Sequence, residues 1–254
     1  VGVFNGKIVW VTGAGTGIGK AAATMFAAEG AKVALIGRRL EPLMEVYGEI
    51  MAAGGMATAE PLDVADRAAV DAASTRLIAQ FGRVDILVNN AGVNVSNRRL
   101  EELAPQDWDF VIDVNLTGTF NMVHAVFPTM KDQAEGLIIN VASTSAQQVS
   151  GLSGAAYSAS KFGVRGLSLS LTQEAWKFGI RTCCLCPNEV NTPIMTRRKV
   201  QYSQEVLDQC IQPRDLAEAM RFVALMPQRT SIPEMTIYPT VIRTRTPAEV
   251  GLPD

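Results

Sequence analysis

Tyr157 and Lys161 stand four residues apart in the stretch GAAYSASKFG, residues 154–163. Four positions make about one helical turn, so on a helix the phenol and the ammonium share a face and their polar ends can meet. A free tyrosine titrates near ~10 and is a poor base at neutral pH, but a close ammonium favours its phenolate. The pair can therefore handle a proton. Its small neighbours Ala156, Ser158, Ala159 and Ser160 suit either the approach of bound molecules or crowded packing. Near the start of the chain, TGAGTGIG (residues 12–19) sets Gly13, Gly17 and Gly19 between an apolar run and a helical pattern. Glycines in such a strand-to-helix turn permit a tight bend and bring backbone N–H groups and a helix N-terminus against a pyrophosphate.

The elements that must position these groups alternate along the chain. Short runs rich in Val and Ile (KIVWVTG, AKVALIG, MATAEPLD, VDILVNNAG, GLIINVAS, IRTCCLC and EMTIYPT) are separated by helical patterns over residues 18–29, 41–53, 67–81, 105–130, 155–178 and 213–226. That rhythm predicts about seven parallel strands with helices on both faces, a doubly wound α/β sheet. Pro105 and Pro213 suit first helical turns, and Gly30, Gly82 and Gly179 suit helix ends. No linker or repeat interrupts the pattern, so residues 1–254 read as one domain. Two stretches lack a period, 94–104 and 191–212, and in an open α/β sheet long connections after strand carboxyl ends are where ligands are held.

Composition narrows the function classes. Hydrophobic residues make up 48% and charged residues 19%, as in a folded globular domain. With 23 basic against 25 acidic residues the net charge is -2, so no global field draws the chain to nucleic acid or an anionic membrane. No uninterrupted apolar run approaches the ~18 residues of a membrane span, and the start VGVFNGKIVW lacks signal-peptide features, so a cytoplasmic location is expected. Cys183, Cys184, Cys186 and Cys210 have no zinc-ligand spacing and His124 lies in another segment, so no metal site is expected. The cysteines read as buried small hydrophobes. His124 reads as a surface or helix-packing residue.

The chain resembles the short-chain dehydrogenase/reductase (SDR) family along essentially its whole length. The motifs that carry the resemblance are, in order, TGAGTGIG (12–19), LDV (62–64), NNAG (89–92), VNLTG (114–118), NVAS (140–143), YSASK (157–161) and CPNEVNTP (186–193). The spacing T-G-x-x-x-G-x-G, unlike G-x-G-x-x-G, is the family's own. The resemblance implies a single-domain Rossmann-like fold binding NAD or NADP, and a hydride transfer between the nicotinamide and a secondary alcohol or ketone. It implies Tyr157 as the acid/base and Lys161 as the group that lowers its pKa and holds the nicotinamide ribose. Ser143 is implied to stabilise charge on the reacting oxygen, with Ser145 as the rival, since any serine after a strand can cap a turn. Asn115 is implied to hold a water linking Lys161 to solvent.

For the cofactor, the resemblance implies Gly13, Thr16, Gly17, Ile18 and Gly19 at the pyrophosphate. Asp63 and Val64 fall at the adenine, Asn90, Ala91 and Gly92 beneath the ribose, and Val190 and Thr192 at the nicotinamide amide. An NAD-specific relative often carries an acidic residue where Gly37 stands, bonding the ribose hydroxyls. Here Gly37 is followed by Arg38 and Arg39, and a guanidinium suits a 2′-phosphate, which favours NADP, with NAD as the alternative because Arg38 can also stack on adenine. Arg39 is the second choice for the phosphate.

The family's usual Pro-Gly after the sixth strand is replaced by Pro187-Asn188, followed by Glu189. Asn tolerates left-handed backbone angles, so the turn is expected to survive, placing Glu189 near the nicotinamide to bind substrate hydroxyls or an amine. Residues 191–212 are implied to form a mobile lid, whose Arg197, Arg198 and Lys199 can meet an anionic substrate or simply be solvated. Asn94, Ser145, Gln147, Gln148 and Glu189 are the substrate candidates, and their polarity favours a small polar substrate. A 3-oxoacyl-thioester reductase and a noncatalytic dinucleotide sensor are the alternatives, and a methyltransferase would not need the Tyr/Lys pair. The family also implies a homodimer or homotetramer through the helices over 105–130 and 155–178.

Overall fold

The structure is a computed structural model describing residues 2–149, 151–198 and 200–241. Seven strands form one parallel sheet: β1 Ile8–Thr12, β2 Lys32–Gly37, β3 Met56–Pro61, β4 Ile86–Asn89, β5 Gly136–Val141, β6 Ile180–Pro187 and β7 Glu234–Ile237. Their spatial order is β3-β2-β1-β4-β5-β6-β7, so the chain winds outward one way from β1 and then the other way from β4. Successive side chains of a strand point to opposite faces, and both faces here are covered. Val9 and Val11 of β1 pack with Phe26, Leu43, Leu216 and Met220 on one side, while Ile8 and Trp10 pack with Leu77, Val123, Met130 and Leu171 on the other. The first layer is α1 Gly17–Ala28, α2 Leu40–Ala52 and α8 Pro213–Leu225. The second is α3 Arg67–Phe81, α4 Pro105–Ile112, α5 Gly118–Gln133 and α6 Ala155–Ala175, and α7 Gln204–Gln209 stands apart between β6 and α8.

Punctuation follows the sequence signals. Asp66 caps α3 by accepting from the Ala69 N–H, and Gly82 closes that helix in the left-handed conformation, as Gly179 does after α6 and its terminal turn. Pro105 and Pro213 occupy first turns. The stretch expected as one helix from 105 contains a π-helical turn, Asp113–Thr117, between α4 and α5. By length and composition the whole run Pro105–Gln133 is also apolar enough to cross a membrane, contrary to the reading of short apolar runs, but half of its most apolar window is buried inside this fold as a core helix.

One polar cluster anchors the start of the sheet. Asp85, 3% exposed, accepts from Lys7 Nζ at 3.1 Å, from the Ile8 N–H at 2.8 Å and from Arg83 Nε at 3.0 Å. Burial pushes its pKa up, but the bonds from Arg83, Ile8 and Lys7 outweigh burial and hold it below the usual carboxylate value. A folded pKa below the unfolded ~3.9 means stability that is complete above about pH 5 and is lost as pH falls through the folded value. Asp85→Asn leaves two cations without their shared anion and is expected to cost about 2–4 kcal/mol in denaturant unfolding at pH 7. The difference from wild type should shrink below pH 4. An unchanged midpoint would show that Glu135, which also meets Lys7 at 3.0 Å, suffices.

Candidate active site

The nucleotide end of the cleft is built where the winding reverses, between the carboxyl ends of β1 and β4. Gly13 (φ 64°) and Gly17 (φ 54°) take left-handed backbone that other residues rarely adopt. A Cβ on Gly13 would also stand 2.9 Å from Asn90 Nδ2. Thr12 Oγ1 accepts from the N–H groups of both Asn90 and Ala91 at 2.9 Å, and Asn90 Nδ2 donates to the Thr12 carbonyl at 3.1 Å, stapling the two turns together. The result is a cradle of bare backbone at the N-terminus of α1, the shape and polarity a pyrophosphate requires. Gly13, Thr16, Gly17 and Ile18 line it. At Gly19 a Cβ would lie 2.2 Å from the Gly13 carbonyl oxygen, so its bareness also serves helix–strand packing.

Arg38 and Arg39 follow β2 at the rim, and Asp63 and Val64 follow β3. Arg38 lies 3.8 Å from the Asp63 carboxylate, its guanidinium 5.4 Å from the ring centre of Phe110, a neighbour the sequence reading did not name. Asp63 also accepts from the Ala65 N–H at 3.0 Å.

At the reaction end, β5 runs out into Ser143, which opens a 3-10 turn, Thr144–Ala146. Ser143 Oγ accepts from the Ser145 N–H at 3.1 Å, and Ser143 lines the cleft together with Tyr157. The rival Ser145 instead pairs with Ser153 Oγ at 2.6 Å. Tyr157 and Lys161 share one face of α6, with Lys161 Nζ 5.6 Å from the tyrosine ring centre and donating to the Val141 carbonyl at 2.8 Å. Burial lowers the Lys161 pKa to about 8. Burial raises that of Tyr157, opposed by the nearby Ser143 hydroxyl and by the charges of Arg198 and Arg98. Lys161 was expected to lower the Tyr157 pKa; in this structure the serine and the two arginines oppose the rise, and burial outweighs them.

Asn115, fully buried in the π-helical turn, accepts from the Val93 N–H at 2.7 Å and donates to the Val93 carbonyl and to Ser160 Oγ, both at 3.0 Å. It clamps the chain after β4 to α6. A Cβ on Gly92 would stand 3.5 Å from Asn115 Oδ1 and 3.6 Å from Lys161 Nζ, so Gly92, Asn115 and Lys161 converge.

The far end is walled by loops. Asn94 Nδ2 donates to the Ser153 carbonyl at 3.0 Å, and Arg98 Nη1 to that of Leu152 at 3.0 Å. Gln148, Glu189, Val190, Thr192 and Arg198 line the same space. Gln147 turns away and donates to Glu234 at 3.0 Å and Thr236 at 2.8 Å, which corrects its place among the substrate candidates. Asn188 is not left-handed: among the described residues Ala134 alone combines a side chain with positive φ. Its N–H donates to the Ile237 carbonyl at 2.9 Å and its side-chain amide donates to Thr144 Oγ1 at 3.0 Å, so the β6–β7 pairing continues where a turn was expected. Glu189 accepts from Arg198 and Tyr202, each at 2.9 Å. Lys199 lies outside the described residues. The whole cleft encloses about 710 Å³.

All four cysteines are buried and free, and His124 is exposed beside Phe120. Cys184 and Cys186 lie 3.7 Å apart, and Glu234 comes within 4.8 Å of them. Its carboxylate is engaged by Arg165 Nε at 2.5 Å and by Gln147.

A parallel sheet with a glycine cradle at its reversal point and a serine–tyrosine–lysine group beside it defines the short-chain class of oxidoreductases. The short chain dehydrogenase family profile matches residues 7–203. The chain is 36% identical over 237 residues to an uncharacterized oxidoreductase of Staphylococcus aureus strain MW2, covering 93% of this chain and 99% of the relative. A metagenomic short-chain oxidoreductase crystallised with NADP is 34% identical, with a TM-score of 0.81 and 93% and 99% of the two chains covered. The 3-ketoacyl-(acyl-carrier-protein) reductase of Brucella melitensis, complexed with NADH, is 32% identical, with a TM-score of 0.83 and coverage of 93% and 98%. The chain belongs to the short-chain dehydrogenase family.

Proposed function

We propose that the protein moves a hydride between NADP and the carbonyl or secondary alcohol of a small polar molecule. The observation that carries this reading is that Ser143, Tyr157 and Lys161 line the same cleft as the glycine cradle, with Lys161 Nζ 5.6 Å from the Tyr157 ring centre. Gly13, Thr16, Gly17 and Ile18 would hold the pyrophosphate, Asp63 and Val64 the adenine, and Asn90, Ala91 and Gly92 the adjoining ribose. Lys161, Val190 and Thr192 would hold the nicotinamide half. Arg38, with Arg39 beside it, would hold the 2′-phosphate. When bound, the cofactor supplies or accepts the hydride. In reduction Tyr157 gives its proton to the carbonyl oxygen while the Ser143 hydroxyl donates to the same oxygen, and in oxidation both roles reverse. Asn115 positions Lys161 through Ser160 and the Gly92–Val93 backbone.

The first test is titration with NADPH and NADH, then a carbonyl and alcohol panel with the tighter cofactor. Tighter binding of NADH, or no turnover of any pair, would count against the reading. Arg38→Glu should weaken NADPH by roughly 10–100-fold, the worth of one charge-assisted bond, and NADH far less. Equal losses for both would show that Arg38 contacts something other than the phosphate. Similarity to the Brucella melitensis enzyme favours 3-oxoacyl thioesters as the second substrate class. Residues 191–212 act as the lid, tied down through Arg198 to Glu189. Trp108, Phe120 and Phe162, exposed on α4, α5 and α6, supply the apolar surface for a homodimer or homotetramer, which light scattering would read directly.

A further inference from the structure

We propose that Phe110 is a positioning residue for the cofactor: its ring holds the Arg38 guanidinium where the 2′-phosphate binds, so the choice of NADP over NAD is set in part from α4. This rests on the assignment of Arg38 to that phosphate above. An arginine at the rim of a cleft ordinarily samples many rotamers, and a phosphate contact made by it costs the entropy of stopping them. Arg38 is half exposed, yet two groups restrain it. Its Cζ lies 5.4 Å from the ring centre of Phe110, inside the roughly 6 Å over which a ring attracts a cation. Its Nη1 lies 3.8 Å from the Asp63 carboxylate, too far for a hydrogen bond.

The two restraints act differently. A ring attracts the cation as a whole and can leave its planar fork of N–H groups open to a phosphate. A carboxylate competes for that same fork. Without the ring, Arg38 can close the remaining distance to Asp63 and make the charge-assisted bonds that arginine and aspartate form. A phosphate would then have to share those donors. Phe110 therefore narrows the rotamers of the arginine and holds its fork short of the rival anion.

Phe110 is itself firmly seated. It lies on α4, five residues before Asn115 of the π-helical turn, and is half-buried. It packs against two apolar clusters, the one that includes Leu62, Val64 and Val114 by the adenosine end, and the one of Val95, Val111 and Ala156 that also supports Tyr157. A ring anchored in both is a rigid platform for a long, flexible side chain. Arg39 has no such platform: it is exposed at the start of α2, and among the described residues no aromatic ring stands over it. The geometry therefore favours Arg38 over its neighbour as the clamp.

The test is equilibrium titration of NADPH and NADH against wild type, Phe110→Leu, Phe110→Tyr, Arg38→Met and the double variant of Phe110→Leu with Arg38→Met. Phe110→Leu is expected to weaken NADPH by roughly 2–10-fold, the worth of one cation–π contact at a half-exposed site. NADH should be nearly unchanged, because a ribose hydroxyl needs no guanidinium. Phe110→Tyr keeps the ring and should keep the wild-type NADPH-to-NADH ratio. With Arg38 already replaced by methionine, Phe110→Leu should cost NADPH nothing more. In turnover the loss should fall on KM for NADPH rather than on kcat. Equal losses for both cofactors, the same NADPH loss with Arg38 absent, or a tyrosine variant as impaired as the leucine one would overturn the role of Phe110 and leave Arg38 as the clamp. Wild type that binds NADH as tightly as NADPH, or Arg38→Met that binds NADPH as wild type does, would overturn the Arg38 assignment and this inference with it. Phe110→Met, of similar volume and without a ring, gives the same comparison if the leucine variant fails to fold.

Discussion

Tyr157→Phe is expected to lower kcat by roughly 10²–10⁴-fold, the usual contribution of a positioned acid or base, while NADPH still binds. The substitution removes the hydroxyl near Ser143 and nothing else. The ring stays packed against Val95, Val111 and Ala156, and Lys161 keeps its bond to the Val141 carbonyl. Burial raises the pKa of this phenol, so at neutral pH it carries the proton that reduction requires. Oxidation needs the phenolate as base, and its rate should climb with pH where reduction does not. Turnover by the variant within a few-fold of wild type would remove Tyr157 from the chemistry.

Lys161→Met should abolish useful turnover and yet make the ligand-free protein more stable at pH 7. Burial lowers the Lys161 pKa from the usual ~10.4 to about 8. Between those two values the unfolded chain binds more protons than the folded one, so wild-type stability rises with pH across that window. Below it the fold carries the full cost of an enclosed ammonium, on the order of 3 kcal/mol. Methionine fills a similar volume without charge, though it forfeits the bond to the Val141 carbonyl, a loss of about 1 kcal/mol. A net gain on the order of 1–2 kcal/mol would raise the melting temperature by a few degrees. The advantage should fade as pH rises from 8 towards 10. A variant that melts lower than wild type at pH 7 would show the ammonium to be better solvated than its burial implies. Activity lost while stability is gained would mark Lys161 as a residue kept for function.

Most of the architecture could be read from local pattern, because each strand is a buried apolar run and each helix carries its own stops. The helix over 67–81 is bounded by Asp66 and Gly82, and both signals sit beside it in the chain. The π-helical turn at Asp113–Thr117 was not legible, since one extra residue in a helical turn leaves no mark on composition. The tyrosine, lysine, serine and asparagine of the reaction end were found because their types and order are distinctive. Gln147 was misplaced for a physical reason: its direction is set by Glu234 and Thr236, nearly ninety positions away on β7. Arg98 escaped notice as a wall of the site because only the close approach at Gly154 carries the loop after β4 to α6. Phe110 reaches Arg38 only through the packing of α4 beside the β2 and β3 ends. Side-chain direction in loops depends on distant partners, and no local period encodes it.

The reversal of the sheet between β1 and β4 also dictates an order of assembly. Strands β1, β2 and β3 come from the first 61 residues and can pair as soon as that stretch is available. The other edge of β1 has no partner until Ile86, Leu87 and Val88 arrive to register with Val9, Trp10 and Val11. All pairings in this sheet are parallel, so each waits on a crossover, and such topologies fold slowly and leave edges open on the way. Thr12 and Asn90, which staple the cradle, lie on opposite sides of that seam. A half-made chain therefore has a sheet but no cleft, and the capacity to hold a dinucleotide appears only at the step that joins the two halves.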